Sequence, residues 1–169
     1  RCNPVMTDQK PSRREAILHA LVALLENDPG ARITTAGLAR TVGVTEAALY
    51  RHFPSKRKMF EALIEFAEEA VFSRCQLILQ EQEDVRTRLK QLVHLVLVFA
   101  ERNPGLCCVL TGDALMGENA SLRKRASQFF ERLETQVRQA LKEGEIRQGL
   151  RPRTSAARGA DFIMVFVEG

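Results

Sequence analysis

Residues 45–56 read TEAALYRHFPSK. Thr45 is a helix N-cap residue, and Phe53-Pro54-Ser55 stops one helix and caps the next. The helix between is barely two turns long, yet it ends in Tyr50, Arg51 and His52. Three long polar side chains so close together suit a surface that meets something. Just upstream, Gly43 breaks a short helix that begins after Thr34 or Thr35 and carries Ala36, Leu38, Ala39 and Val42. Helix, glycine turn, helix is the helix-turn-helix pattern. Ala36, Ala39, Gly43 and Ala48 are small enough for close approach, and Leu38, Val42, Val44 and Leu49 supply a shared core. Behind them, Ser12 and Glu15 form a capping box. Ile17, Leu18, Leu21, Leu24 and Leu25 then give one apolar face, which Asn27-Asp28-Pro29-Gly30 ends. In such units the second helix enters the DNA major groove. Thr45, Glu46, Ala47, Tyr50, Arg51 and His52 then face bases and phosphates, with Lys56 at the start of the next helix. The competing reading places Tyr50 and Phe53 in the core.

Charge points the same way. Residues 1–60 hold ten Lys and Arg against five Asp and Glu, and the remainder holds fifteen against sixteen. A basic segment on a near-neutral body fits a polyanionic partner. No apolar run reaches the ~18–20 residues of a membrane-spanning helix. Cys2, Cys75, Cys107 and Cys108, with His19, His52 and His94, show no metal-ligand spacing, and no nucleophile–base pair stands out. No glycine-rich phosphate loop occurs. The expectation is a non-enzyme with no cofactor and no metal.

The rest of the chain reads as helices, so the fold class is all-α. Ser55 caps a long helix to about Gln80, with Phe60, Leu63, Ile64, Ala67, Val71 and Ile78 in one stripe. Arg74 falls within that stripe and Phe66 on its edge. A helix from about Asp84 to Arg102 contains LVLVFA, apolar all round and therefore buried or at an interface. Asn103-Pro104-Gly105 is a turn, and residues 106–116 form a short apolar helix. An amphipathic helix near residues 121–143 buries Leu122, Ala126, Phe129, Leu133, Val137 and Leu141. Residues 144–152 are a polar link, and a last helix from near Thr154 ends in FIMVFVEG. The expected organisation is a disordered leader over 1–11, with Met6 a candidate natural start. A helix-turn-helix domain follows over 12–54 and a helical body over 55–169, with its C-terminus cut short.

Residues 33–63 resemble the DNA-binding domain of TetR-type regulators. The pattern A-x-x-x-G-V-s-x-x-x-L-Y-x-H-F-x-s-K runs from Ala39 to Lys56. That resemblance implies three N-terminal helices on DNA and a larger helical body that dimerises. It places Tyr50, His52 and Lys56 on phosphates, with Thr34, Thr35, Thr45, Glu46 and Ala47 facing the DNA. Typical members hold a small-molecule pocket in the body whose filling releases the DNA.

A closer resemblance is to the nucleoid occlusion branch of these regulators. It is carried by LIEFAEEAVFSR (63–74), FAERNPGLCCVLTGDALMGEN (99–119) and QFFERLETQVRQAL (128–141). It implies a homodimer on specific pseudo-palindromic sites in double-stranded DNA, located in the cytoplasm on the nucleoid. When DNA-bound, such a protein binds the C-terminal tail of the division protein FtsZ and inhibits septum assembly. The matching tail-binding positions are Phe66, Arg74, Leu95, Val98, Arg102 and Asn103. An apolar floor rimmed by arginines suits a tail that is part apolar and part acidic. The alternative for Arg74 is an internal ion pair with a carboxylate such as Glu101, and for Phe66 and Leu95 it is core packing. Val98 departs from the small residue of the family pattern, and Cys107-Cys108 from its polar pair. The amphipathic helix and the last helix are the dimerisation candidates. The alternative function is a TetR-type repressor released from DNA by a small molecule.

Overall fold

Short polar side chains set where the helices begin. Ser12, Thr34, Thr45, Ser55 and Asp84 each accept a hydrogen bond from the backbone N–H three residues on. Each satisfies a donor that the first helical turn leaves unpaired. The computed structural model describes residues 12–28, 33–115, 120–147, 149 and 155–168. Within them the chain forms α1 (Arg13–Asn27), α2 (Thr35–Val42), α3 (Glu46–His52), α4 (Lys56–Glu81), α5 (Val85–Arg102) and α6 (Pro104–Leu110). A 3₁₀ turn (Asp113–Leu115), α7 (Ala120–Arg147) and α8 (Ala156–Glu168) complete it. No strand occurs among the described residues. The expected leader over 1–11 lies outside them.

The first three helices close a small head. Gly43 ends α2 with φ +73°, a left-handed turn that glycine enters without strain. The head's core is Ile17, Leu21 and Leu25 of α1 with Leu38, Leu49 and Phe53. Phe53 is therefore core, whereas Tyr50 is 42% exposed. The long α4 carries this core onward without a break through Met59, Phe60, Leu63, Ile64, Ala67 and Val71.

The body is built on α4, α5 and α7, which pack on one another, with α8 laid along α7. Phe72 of α4 meets Phe129 of α7 at 5.2 Å between ring centroids. Arg125 of α7 grips Glu68 of α4 through two 2.5 Å contacts. Arg88 of α5 is buried and pairs with Glu143 of α7 at 2.6 Å.

Several expectations need correction. Arg74 does not join the apolar stripe of α4; it is exposed, and Cys75 is buried in its place. With 3.6 residues per turn, 67, 71 and 75 stay aligned, and α7 draws that line toward Phe72. Residues 104 and 105 are not simply a turn: Pro104 begins α6, which meets α5 at 108°. The segment 106–116 is not one helix, because Gly112 takes φ +89° and separates α6 from the 3₁₀ turn. Gly144 belongs to α7 and is buried, so the polar link starts later than composition suggests. Residues 148 and 150–154 of that link lie outside the described residues, as do Gly169 and the side chains of Phe162, Phe166, Val167 and Glu168. Leu97 is 53% exposed, so the segment 95–100 is only half buried within a single chain.

Candidate nucleic-acid interface and partner face

The head presents one face whose hydrogen-bonding groups are already sorted. Thr34 and Thr45 are exposed N-caps: their oxygens accept from the N–H groups of Gly37 and Ala48, each at 3.1 Å. A hydroxyl whose oxygen is held this way keeps its proton available to an outside acceptor. Phosphate oxygens are such acceptors. Gly37 matters to this arrangement, since a Cβ there would sit 3.0 Å from the Thr34 hydroxyl. Thr35 differs: its hydroxyl donates to Glu46 Oε2 at 2.8 Å. The Tyr50 hydroxyl lies 3.4 Å from the same Thr35 oxygen, a longer and weaker contact. This tie across α2 and α3 joins residues eleven positions apart and is not legible in the sequence.

Positive charge frames that face. Arg51 is exposed in the last turn of α3, where a cation is favoured by the negative end of the helix dipole, and His52 is exposed beside it. Lys56 is the first residue of α4 and lies half-buried, with its ammonium 5.5 Å above the Phe60 ring. Ala47 is exposed between these groups. Two neighbouring cations are committed to a carboxylate. Arg57 and Lys58 both bond Glu61, at 2.7 and 2.6 Å, and together hold its carboxyl below the ordinary range, Lys58 contributing most. The structure thus brings Thr34, Thr35, Thr45, Glu46, Ala47, Tyr50, Arg51, His52 and Lys56 to the two short helices and the α4 start, all of them exposed or half-buried.

The second predicted set lies on α4 and α5, which pack side by side. Phe66 is 45% exposed and is not core. Arg74 is exposed and forms no ion pair with Glu101 or any other carboxylate among the described residues. Leu95 and Val98 are half-buried, Leu95 against the core, and Arg102 is exposed. Asn103 is partly committed: its amide Nδ2 donates to the Phe99 carbonyl at 2.8 Å and so helps end α5. The sequence reading missed Leu77, which is 42% exposed. It lies three helical turns beyond Phe66 and therefore on the same face of α4.

Small-molecule sites are usually apolar and enclosed. Two depressions among the described residues are open to solvent. One, of about 200 Å³, is lined by Arg14, His52, Phe53 and Lys58 with Glu61 and Glu65. The other, of about 390 Å³, lies between α4 and α7, where Glu65, Glu68 and Glu69 surround Phe72 and Arg132. The Arg132 guanidinium already stacks over the Phe72 ring at 4.0 Å. Burial pushes the Cys75 thiol up to about 11, leaving it protonated at neutral pH.

Three helices closing a glycine-turn reading head, joined by α4 to a helical body, define the TetR class of DNA-binding regulators. Residues 17–63 match the model of the bacterial regulatory proteins of the tetR family. Residues 82–169 match the SlmA-like model of the tetracyclin repressor-like C-terminal domain. The chain is 90% identical to the nucleoid occlusion factor SlmA of Marinobacter nauticus over 164 residues, 97% of this chain and 84% of that protein. It is 55% identical to the nucleoid occlusion factor SlmA of Marinomonas sp., over 97% of this chain and 83% of that one. The crystal structure of the MbdR regulator from Azoarcus sp. CIB superposes with a TM-score of 0.79 over 94% of this chain and 84% of that one. At 18% identity that likeness concerns the fold alone. The chain belongs to the SlmA family of nucleoid occlusion factors. It is a DNA-binding regulator of a dimeric, non-enzymatic class, and the ligand-released repressor reading is not favoured.

Proposed function

We propose that this nucleoid occlusion factor couples a DNA-reading head to a face for the FtsZ C-terminal tail. Two chains pair through α7 and α8 and set their heads, residues 12–54, on successive major grooves of a pseudo-palindromic site. Thr34, Thr45, Tyr50, His52 and Lys56 hold phosphates, while Thr35, Glu46, Ala47 and Arg51 lie toward the groove. The body, residues 55–169, receives the tail on α4 and α5 and keeps septum assembly off the chromosome, in the cytoplasm on the nucleoid.

The observation that carries this reading is Arg74: an exposed guanidinium without a carboxylate partner among the described residues, on the helix that exposes Phe66. An exposed ring and an uncommitted cation are what a tail with apolar and acidic residues needs. Fluorescence anisotropy of a labelled FtsZ tail peptide, titrated with the protein with and without retained genomic DNA fragments, tests it. Saturable binding that is lost in Arg74→Asp, with DNA binding retained, supports the reading. A dimeric, DNA-bound protein that ignores the peptide refutes it.

A further inference from the structure

The reading face contains one group that phosphate binding cannot explain. Glu46 is exposed at the first position of α3, among hydroxyls and cations placed for polyanion contact. A carboxylate there repels phosphates. Yet it is held rather than swung away: Oε2 takes the Thr35 proton at 2.8 Å, and Tyr50 approaches that same hydroxyl at 3.4 Å. Oε1 carries no hydrogen bond among the described residues. The carboxylate is therefore a positioned acceptor with one oxygen left to use.

Major-groove base edges offer few donors. Cytosine presents its N4 amino group, and adenine presents N6 beside the N7 acceptor. A carboxylate beside N7 faces repulsion, so cytosine is the better match. We propose that Glu46 is a specificity-determining residue that accepts a hydrogen bond from the N4 amino group of a cytosine in each half-site, with Thr35 holding it in position. This rests on the DNA-reading assignment proposed above. It adds a division of labour: Thr34, Thr45 and the cations supply affinity, and Glu46 subtracts from affinity everywhere except opposite the right base.

Selection from a randomised duplex pool at fixed salt, with the full-length wild type, Glu46→Ala, Glu46→Gln and Thr35→Val, tests this. The wild type should prefer cytosine at one position of each half-site by roughly 5- to 150-fold, the range for one good base contact. Glu46→Ala should lose that preference while binding random-sequence DNA more tightly. Glu46→Gln should shift the position toward adenine, which glutamine reads through N6 and N7. Thr35→Val should weaken the cytosine preference without replacing it. A role confined to stabilising the head would move none of these preferences. A wild type that selects a sequence whose preferences persist in both Glu46 variants overturns the role of Glu46 alone. A wild type that selects no sequence overturns the reading-head assignment as well.

Discussion

Gly105, in the first turn of α6, packs against the backbone of α1 so closely that a Cβ would lie 2.7 Å from the Val22 carbonyl oxygen. The Glu26 side chain, at 2.9 Å, could move aside, but the carbonyl belongs to the helix itself. α6 is thereby seated directly on the reading head, and α5 joins it through Asn103. Gly105→Ala should destabilise the protein by about 1–3 kcal/mol, the usual cost of overpacking. Thermal unfolding checks this, with a fall of roughly 2–4 °C expected per kcal/mol for a chain of this size. An unchanged midpoint would mean that α1 and α6 separate readily at this contact.

Arg88 carries the second internal tie. Its Nε donates to the Gln82 carbonyl and its NH1 to Glu143, which also accepts from Gln139 at 3.1 Å. The hydrogen bond from Gln139 first, and that from Arg88 second, hold the Glu143 carboxyl below its ordinary value of 4.5. A depressed folded-state pKa stabilises the fold above the unfolded value, and that contribution is lost as pH falls through the depressed one. Glu143→Gln should therefore be less stable than wild type at pH 7, by about 1–3 kcal/mol for a partly exposed partner of a buried charge. Below that depressed folded-state value the two proteins should converge. Urea unfolding of both at pH 7 and at successively lower pH reads the difference; a gap that does not narrow as the pH falls through the carboxylate range would exclude the carboxylate as its source.

How much was legible beforehand depended on the range of the interaction. Capping is a matter of three residues, so Ser12 with Glu15, Thr45 and Ser55 marked helix starts that the structure keeps. The left-handed turn at Gly43 is equally local. Arg74 was misplaced because helical spacing admits either 71 to 74 or 71 to 75, and the choice belongs to the neighbouring helix. Phe129 on α7 turns the core toward Phe72 and Cys75, which leaves Arg74 at the surface. Gly144 reads as a helix end by composition, yet α7 runs past it as a buried helical residue, and packing prevails over propensity. The Thr35–Glu46 bond depends on the angle between two helices, which no local pattern encodes.

Thr45 allows affinity and folding to be separated. Its oxygen caps α3 through Ala48, so Thr45→Ala should cost about 1 kcal/mol of stability and also remove an outward hydroxyl donor. Thr45→Ser keeps both the cap and the donor and should restore both. Because Thr45 is uncharged, its loss should weaken DNA binding without altering the dependence on salt. Lys56→Gln should instead flatten the plot of log K against log salt by about 0.9, one phosphate contact. Titrations of a retained DNA fragment at several salt concentrations distinguish these outcomes. A Lys56→Gln slope equal to wild type would remove that residue from the phosphate contacts.

The α4–α5 face makes a demand on the residue at position 98. Val98 is half-buried on α5, one turn from Leu95 and from Arg102, and carries two carbons more than an alanine would. If the FtsZ tail lies along this face, two extra methyl groups narrow its path. Val98→Ala should then tighten tail binding, since the half-buried position loses little packing and the peptide gains room. Leu97 supplies the control: it is 53% exposed but points to a different side of α5, because adjacent residues are turned by about 100°. Leu97→Ala should leave tail affinity unchanged. Arg74→Lys should retain part of the binding, as a point charge replaces a planar fork, whereas Arg74→Asp should abolish it by repelling the acidic residues. Peptide anisotropy with all four variants bound to the same DNA decides the matter. Tail binding that follows Leu97 rather than Val98 and Arg74 would move the partner to the other side of the helix.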